Sequence, residues 1–360
     1  MHIMHVVGAR PAFMKVAAVL HELRKSRRAR QTLVHTGEWF ARTPADLFLQ
    51  ELGVRRADVH LGVGMESSAG QIAGTMLRLE QHLVDLKPDL VLVYGDGNAT
   101  IAAALTATKL GIDVGHVEAG LRSRDRRMPQ EINRVLVDRM ATWLFTPSND
   151  ADENLLAEGA DPAAIKLVGN VMIDTLVRLM PQANPDPLLQ VFGLMNSKGP
   201  APYAVATLHK PLTAEGEARF EATLDALTEI TRDVPVIFPV DPDTRRHMKD
   251  HHLRFSGLLV TEPLTYLQFL GLERHARVVI TDSGGIQEET TYLGVPCLTV
   301  RDATDRPVTV SMGTNVVVGG DPEHLKTGVA QAVSGRGPRG SVPPLWDGRA
   351  AERIVGILMN

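Results

Sequence analysis

The chain has 360 residues, 38 Lys and Arg against 42 Asp and Glu, a formal charge of −4, and 44% hydrophobic but only 4% aromatic residues. That length exceeds one ordinary core and predicts two domains, and the evenly mixed charge excludes a basic tract for nucleic acid or a membrane surface. The lone cysteine, Cys297, excludes an internal disulfide and points to a reducing cytoplasm, and no apolar run reaches membrane-spanning length.

An aliphatic composition poor in aromatics suits α/β layers. The start, Met1-His2-Ile3-Met4-His5, runs straight into a strand over 2–7, without the pattern of a signal sequence. Gly8-Ala9-Arg10-Pro11 follows, then a helix over about 12–25, with Pro11 at a first helical position where its missing N–H costs nothing. Arg10 and Lys15 therefore sit at a strand's C-terminal end and one turn into a helix, where open α/β sheets bind ligands. Two cations there read either as a diphosphate clamp or as solvated helix charge. A second strand over 32–35 ends at Thr36-Gly37-Glu38-Trp39, and an amphipathic helix over 69–86 is stopped by Lys87-Pro88-Asp89.

Residues 90–94 form a continuous apolar run, as for a central parallel strand covered on both faces, ending in Gly95-Asp96-Gly97. The strand over 114–117 ends in Glu118-Ala119-Gly120-Leu121-Arg122. One acid at such a tip reads as a helix cap; Asp96 and Glu118 together are better explained by acid–base work. Glu131 opens a helix in Met128-Pro129-Gln130-Glu131-Ile132-Asn133-Arg134, a position the helix dipole favours for any carboxylate. A strand over 143–147, a helix over 149–159 and a strand over 165–168 complete a first domain assigned to 1–170, with 347–360 packing back on it as a helix.

Pro181, Pro185, Pro187, Pro200 and Pro202 mark the surface stretch around the boundary, and a second α/β domain is assigned to 171–346. Its strands are expected over 203–208, 234–240, 258–261, 277–280, 297–300 and 316–318, with helices over 215–231, near Thr244 and over 263–272. His209, at the end of its first strand, is a site candidate, whereas His251-His252 lies in a charged stretch and reads as solvated. Nothing shows zinc-site spacing, and there is no G-x-x-x-x-G-K-[ST] phosphate loop. Thr281-Asp282-Ser283-Gly284-Gly285 joins the strand over 277–280 to a helix over 286–293. This arrangement points free N–H groups and a positive dipole end at an anion, and it puts Glu289 where a carboxylate accepts ribose hydroxyls. By itself the turn reads equally as an ordinary capped βα connection.

Taken in order, Gly8-Ala9-Arg10-Pro11, Gly95-Asp96, Val117-Glu118-Ala119-Gly120-Leu121-Arg122 and Glu131-Ile132-Asn133-Arg134 resemble the non-hydrolysing UDP-N-acetylglucosamine 2-epimerases. The resemblance continues through Val168-Gly169-Asn170, Thr207-Leu208-His209, Asp282 to Glu289, and Arg301-Asp302-Ala303-Thr304-Asp305-Arg306-Pro307. It implies the GT-B architecture, two Rossmann-like domains with parallel sheets facing a central cleft. It also implies a UDP-sugar substrate, a homodimer, and no metal or other cofactor. The implied reaction eliminates UDP across C1–C2 of the sugar and adds it back with C2 inverted. Asp96, Glu118 and Glu131 are then the acid–base candidates, and His209, Arg10 and Arg306 the charge partners of the diphosphate with the Ser283-Gly284-Gly285 helix start. Lys15 is expected to help hold substrate, Glu289 the ribose, and Phe269 the uracil.

The chain departs from the family pattern at Glu38-Trp39, Lys210 and Asp241, positions that in bacterial members help bind an activating UDP-sugar, and Gln130 stands where Glu is common. The expectation is turnover without that activator, or a changed substrate such as a 3-acetamido or uronic acid UDP-sugar. A hydrolysing epimerase and a GT-B glycosyltransferase are the alternatives; three carboxylates around C2 are superfluous for plain transfer.

Overall fold

The computed structural model describes residues 1–37, 45–64, 67–197, 199–209, 214–253 and 256–360. The chain divides into a first unit, 1–178 with 344–360, and a second unit, 179–343.

In the first unit seven parallel strands stand in the order β3-β2-β1-β4-β5-β6-β7. They are β1 (His2–Val7), β2 (Arg30–His35), β3 (Val59–His60), β4 (Leu90–Tyr94), β5 (Asp113–Val117), β6 (Trp143–Thr146) and β7 (Ile165–Leu167). Strand order reverses between β1 and β4, and such a switch point opens a crevice at the strands' C-terminal ends. All five residues of β4 are buried, as its unbroken apolar run requires of a strand with helices on both faces. On one face Met4, Val6, Val91 and Val93 pack against Leu79, Leu83 and Ala103. The register pairs Val6 with Val93 and Tyr94 with Val117, so the turns after β1, β4 and β5 emerge side by side.

The C-terminal helix Ala350–Met359 belongs to this unit. Both oxygens of Asp174 accept its first N–H groups, from Ala350 at 3.0 Å and Ala351 at 2.7 Å, and the buried Trp346 donates its indole N–H to the Pro147 carbonyl at 2.9 Å. Asp174 lies in helix Val171–Leu179, whose Thr175 also donates to the Met14 carbonyl, so the division falls after this helix rather than after β7.

The second unit opens with a short antiparallel pair, β8 (Met195–Asn196) and β9 (Gly199–Pro200), then a six-stranded parallel sheet in the order β12-β11-β10-β13-β14-β15. These strands are β10 (Ala204–Thr207), β11 (Val236–Pro239), β12 (Leu259–Thr261), β13 (Val278–Thr281), β14 (Cys297–Thr299) and β15 (Asn315–Val317). The order repeats that of the first unit, with its reversal between β10 and β13. Alternation along β10 sends Ala204 and Ala206 to Phe220 and Leu224 on one face, and Tyr203 and Val205 to Leu272 on the other.

Candidate active site

At the first switch point the turn after β4 carries Gly95 and Asp96, and the turn after β5 carries Glu118. Gly95 has φ +68°, and a Cβ there would lie 2.7 Å from Lys15 Nζ and 3.0 Å from Glu118 Oε2. Only glycine leaves that space. Lys15, from the first helix, and Glu118 form an ion pair in it, both 6% exposed. Glu118 itself holds φ +76°, a left-handed conformation that a non-glycine residue adopts at a cost, and its N–H is tied to the Phe145 carbonyl at 3.0 Å. Strain of this kind collects where a side chain must be aimed.

The other two carboxylates share a second buried cation. Arg134 sends Nη1 to Asp96 Oδ2 at 2.8 Å and Nε to within 3.4 Å of Glu131 Oε2. Glu131 also accepts the Ser123 N–H and hydroxyl, at 2.9 and 3.0 Å, and the Arg124 N–H at 2.8 Å. Asn133 donates to the Asp96 carbonyl at 2.9 Å. Helix Pro129–Met140 thus presents Glu131, Asn133 and Arg134 from its first turns toward the end of β4.

Two buried histidines hold the glycine turns from the neighbouring strands. His35 on β2 meets the Gly8 carbonyl through Nε2 at 3.0 Å, and His116 on β5 meets the Gly95 carbonyl through Nε2 at 2.9 Å. Burial pushes the His35 pKa down to about 4. His116 Nδ1 faces Asp138 Oδ1 at 2.6 Å. Asp138 Oδ2 takes the Gly120 N–H at 3.1 Å and Arg122 at 2.8 Å. Burial works to raise the Asp138 pKa, but His116 and Arg122 outweigh it and hold the carboxyl below its usual range.

At the second switch point Thr207 and Thr281 are register partners, joined through their hydroxyls at 2.8 Å, and beyond them His209 meets Asp282. The backbone N–H of His209 donates to Asp282 Oδ2 at 3.0 Å, and its Nδ1 lies 2.7 Å from Oδ1. The hydrogen bond that His209 donates to the Asp282 carboxylate raises the His209 pKa above 6.5. Burial pulls Asp282 upward, but its bonds to His209 hold it below the usual carboxylate range. A cavity of about 170 Å³ opens beside the pair, with Arg219 and Arg301 in its lining. The exposed His209 ring, the arginines and the start of helix Gly284–Leu293 together suit an anion.

That helix begins at Ser283, whose side chain makes no capping bond. Gly284 is required by close approach: a Cβ there would lie 2.5 Å from Arg306 Nη1. Arg306 is buried, with Nε on Glu288 Oε1 at 2.9 Å and Nη1 on Asp305 Oδ2 at 2.6 Å. Glu289 is buried too and accepts the Tyr266 hydroxyl at 2.9 Å. Burial, reinforced by the Glu289 charge, pushes the neighbouring Glu273 well above the usual carboxylate range. Phe269 is half-buried against the Tyr203 and Leu272 cluster.

The structure thus gathers Lys15, Asp96, Glu118 and Glu131 in the first unit, and His209, Ser283, Gly284 and Arg306 in the second. Arg10 places its guanidinium 4.6 Å over the Phe48 ring. Glu38, Trp39 and Lys210 lie outside the described residues. Asp241 caps helix Pro242–Asp250, accepting the N–H groups of Asp243 and Thr244 and the Thr244 hydroxyl, a role its place before Pro242 explains. Sequence reasoning assigned no separate role to Arg134, His116 or Asp138. The Glu131–Arg134 spacing of three residues on a helix was a readable signal for the first; the others meet only through the fold.

Two Rossmann-like α/β units, each with charged and hydrogen-bonding groups at its switch point, define the GT-B class. Residues 21–359 match the UDP-N-acetylglucosamine 2-epimerase family. A UDP-N-acetylglucosamine 2-epimerase of Methanococcus maripaludis is 36% identical over 365 residues, covering 99% of this chain and 97% of the relative. A UDP-2,3-diacetamido-2,3-dideoxy-D-glucuronate 2-epimerase of Pseudomonas aeruginosa is 37% identical, covering 89% and 88%. Among solved structures, the Methanocaldococcus jannaschii UDP-GlcNAc 2-epimerase in complex with UDP-GlcNAc and UDP superposes with a TM-score of 0.91 at 34% identity, covering 100% and 99%. The chain belongs to the UDP-N-acetylglucosamine 2-epimerase family, and it is an isomerase.

Proposed function

We propose that the protein interconverts UDP-N-acetylglucosamine and UDP-N-acetylmannosamine by elimination and re-addition of UDP. C2 of the sugar has no carbonyl beside it, so direct proton removal would leave an unstabilised carbanion. In elimination a carboxylate takes the C2 proton, the C–H electron pair becomes the C1–C2 double bond, and the C1–O pair departs with UDP. In the return step a proton reaches the other face of C2 and a phosphate oxygen of UDP re-forms the bond to C1.

The observation that carries this reading is the set of three carboxylates held by two buried cations at the first switch point. Asp96, Glu118 and Glu131 are fixed by Lys15 and Arg134, which is the preorganisation that proton transfer at one carbon demands. The second unit supplies the groups for UDP: His209, Arg306 and the Ser283-Gly284-Gly285 helix start for the diphosphate, Glu289 for the ribose and Phe269 for the uracil. Arg10 adds charge for the diphosphate.

A second reading, a 2-epimerase of a modified UDP-sugar, is favoured by the Pseudomonas relative, a UDP-2,3-diacetamido-2,3-dideoxy-D-glucuronate 2-epimerase at 37% identity against 36% for the Methanococcus relative. Proton NMR of the protein with UDP-N-acetylglucosamine separates the cases. The proposal expects a UDP-linked manno product. Free N-acetylmannosamine with released UDP would identify a hydrolysing epimerase, and turnover confined to the diacetamido uronic acid sugar would establish the second reading.

A further inference from the structure

Away from both switch points, helix Pro242–Asp250 packs beside helix Ala214–Ile230 in the second unit. His247 lies on the former, His251 closes it one turn later, and Glu217 faces them from the latter. Glu217 Oε2 is 3.1 Å from His247 Nε2 and 3.9 Å from His251 Nδ1, and the three ligand atoms all lie within 4.8 Å of one another. We propose that Glu217, His247 and His251 form a binding site for a zinc-class divalent transition-metal ion.

The spacing fits such an ion. Metal bonds of about 2.0–2.1 Å in a tetrahedral centre set ligand atoms roughly 3.3–3.5 Å apart, between the two separations to the carboxylate oxygen. Two imidazole nitrogens and one carboxylate are borderline donors, suited to zinc, cobalt or nickel rather than to magnesium or calcium, which take oxygen. The chemistry of His247 points the same way. It is buried, yet its Nε2 makes no hydrogen bond among the described residues, although a carboxylate oxygen stands 3.1 Å away. A simple His–Glu pair would align for that bond; a pair converging on a common centre does not. The Phe220 ring, 5.7 Å away edge-on, and the His251 ring, 4.3 Å away, fix the His247 plane.

His251 and Glu217 are the solvent-facing members, with side chains 53% and 39% exposed, so an ion has an entry path and water can fill a fourth position. Spacing four residues apart puts the two histidines on one helix face. A bound ion would tie together the helix that follows β10 and the helix that follows β11.

The test uses the full-length protein, zinc and a chromophoric chelator in competition, with cobalt as a spectroscopic probe. The wild type is expected to bind a single tight equivalent of zinc, to show a visible cobalt d–d band and to unfold at higher temperature with zinc. Glu217→Gln and His251→Gln leave the buried His247 in place and should each weaken zinc by about tenfold or more and abolish the cobalt band. Zinc bound equally by the wild type and both variants would put the ion elsewhere, for instance at His35 and His60, and overturn the assignment. So would a wild type that fails to compete with the chelator.

Discussion

Replacing Asp138 by Asn preserves volume and removes one charge from the layer beneath the carboxylates. Oδ1 and Oδ2 together face three donors: His116 Nδ1 at 2.6 Å, the Gly120 N–H at 3.1 Å and Arg122 at 2.8 Å. An amide can turn its oxygen to only one side, so its NH₂ must oppose a donor on the other, and Arg122 loses its buried counter-charge. Breaking a buried pair from one side costs about 3–5 kcal/mol. In a unit of this size about 2–4 °C accompanies each kcal/mol, so the midpoint should fall by roughly 6–20 °C. Trp143 and Trp346 lie in the first unit and the sequence of the second, 179–343, contains no tryptophan, so tryptophan fluorescence during urea or thermal unfolding does not report the second unit. Glu158→Gln is the internal control: it touches the same Arg122, at 2.8 Å, but its side chain is 33% exposed, and it should cost less than about 1 kcal/mol. If Asp138→Asn costs no more than Glu158→Gln, the buried network does not hold these turns.

Asp96→Asn, Glu118→Gln and Glu131→Gln should each keep UDP binding and lose roughly two orders of magnitude or more in turnover; near-wild-type rates in all three on the true substrate would remove the carboxylates from the mechanism. Arg306→Lys keeps a cation for Glu288 and Asp305 but loses the planar fork, and should weaken UDP by about tenfold or more while leaving uridine nearly unchanged by calorimetry; equal losses would contradict a phosphate role. Glu273 has a folded-state pKa raised by burial and by Glu289, so the folded protein holds its proton where the unfolded chain has released it. Its stabilising contribution is therefore fully present below the unfolded pKa and is lost as pH rises, at up to about 1.4 kcal/mol per unit. Glu273→Gln should gain stability relative to wild type as pH rises above that point, and a difference independent of pH between 5 and 8 would refute the protonated carboxyl.

Legibility followed the range of the interaction. All strands of both parallel sheets except the two-residue edge strand β3 were readable, because parallel strands covered on two faces are written as apolar runs such as 90–94 and 203–208. The helix expected over 263–272 is instead Tyr266–His275, because Thr265 and Gln268 form a capping box that fixes its start; that Thr-x-x-Gln signal was in plain view. Strand ends placed Asp96, Glu118 and His209 correctly at the C-terminal edges of their sheets, since that position is a property of the local βα connection. What the carboxylates pair with was not readable: Lys15 and Glu118 are 103 residues apart, and Asp96 and Arg134 are 38 apart. Such partners are brought together by strand order, and strand order depends on crossover connections that no local pattern encodes. Asp241 shows the converse. A family comparison pointed to a ligand position, while its place before proline at a helix start already specified a cap.

The central claim, that these carboxylates exchange the C2 proton while UDP is detached, is tested most directly by running the reaction in heavy water with UDP-N-acetylglucosamine. The account predicts that every product molecule carries deuterium at C2, that deuterium enters the substrate pool as equilibrium is approached, and that Glu118→Gln slows both together. Epimerised product that retains the original C2 proton would contradict it.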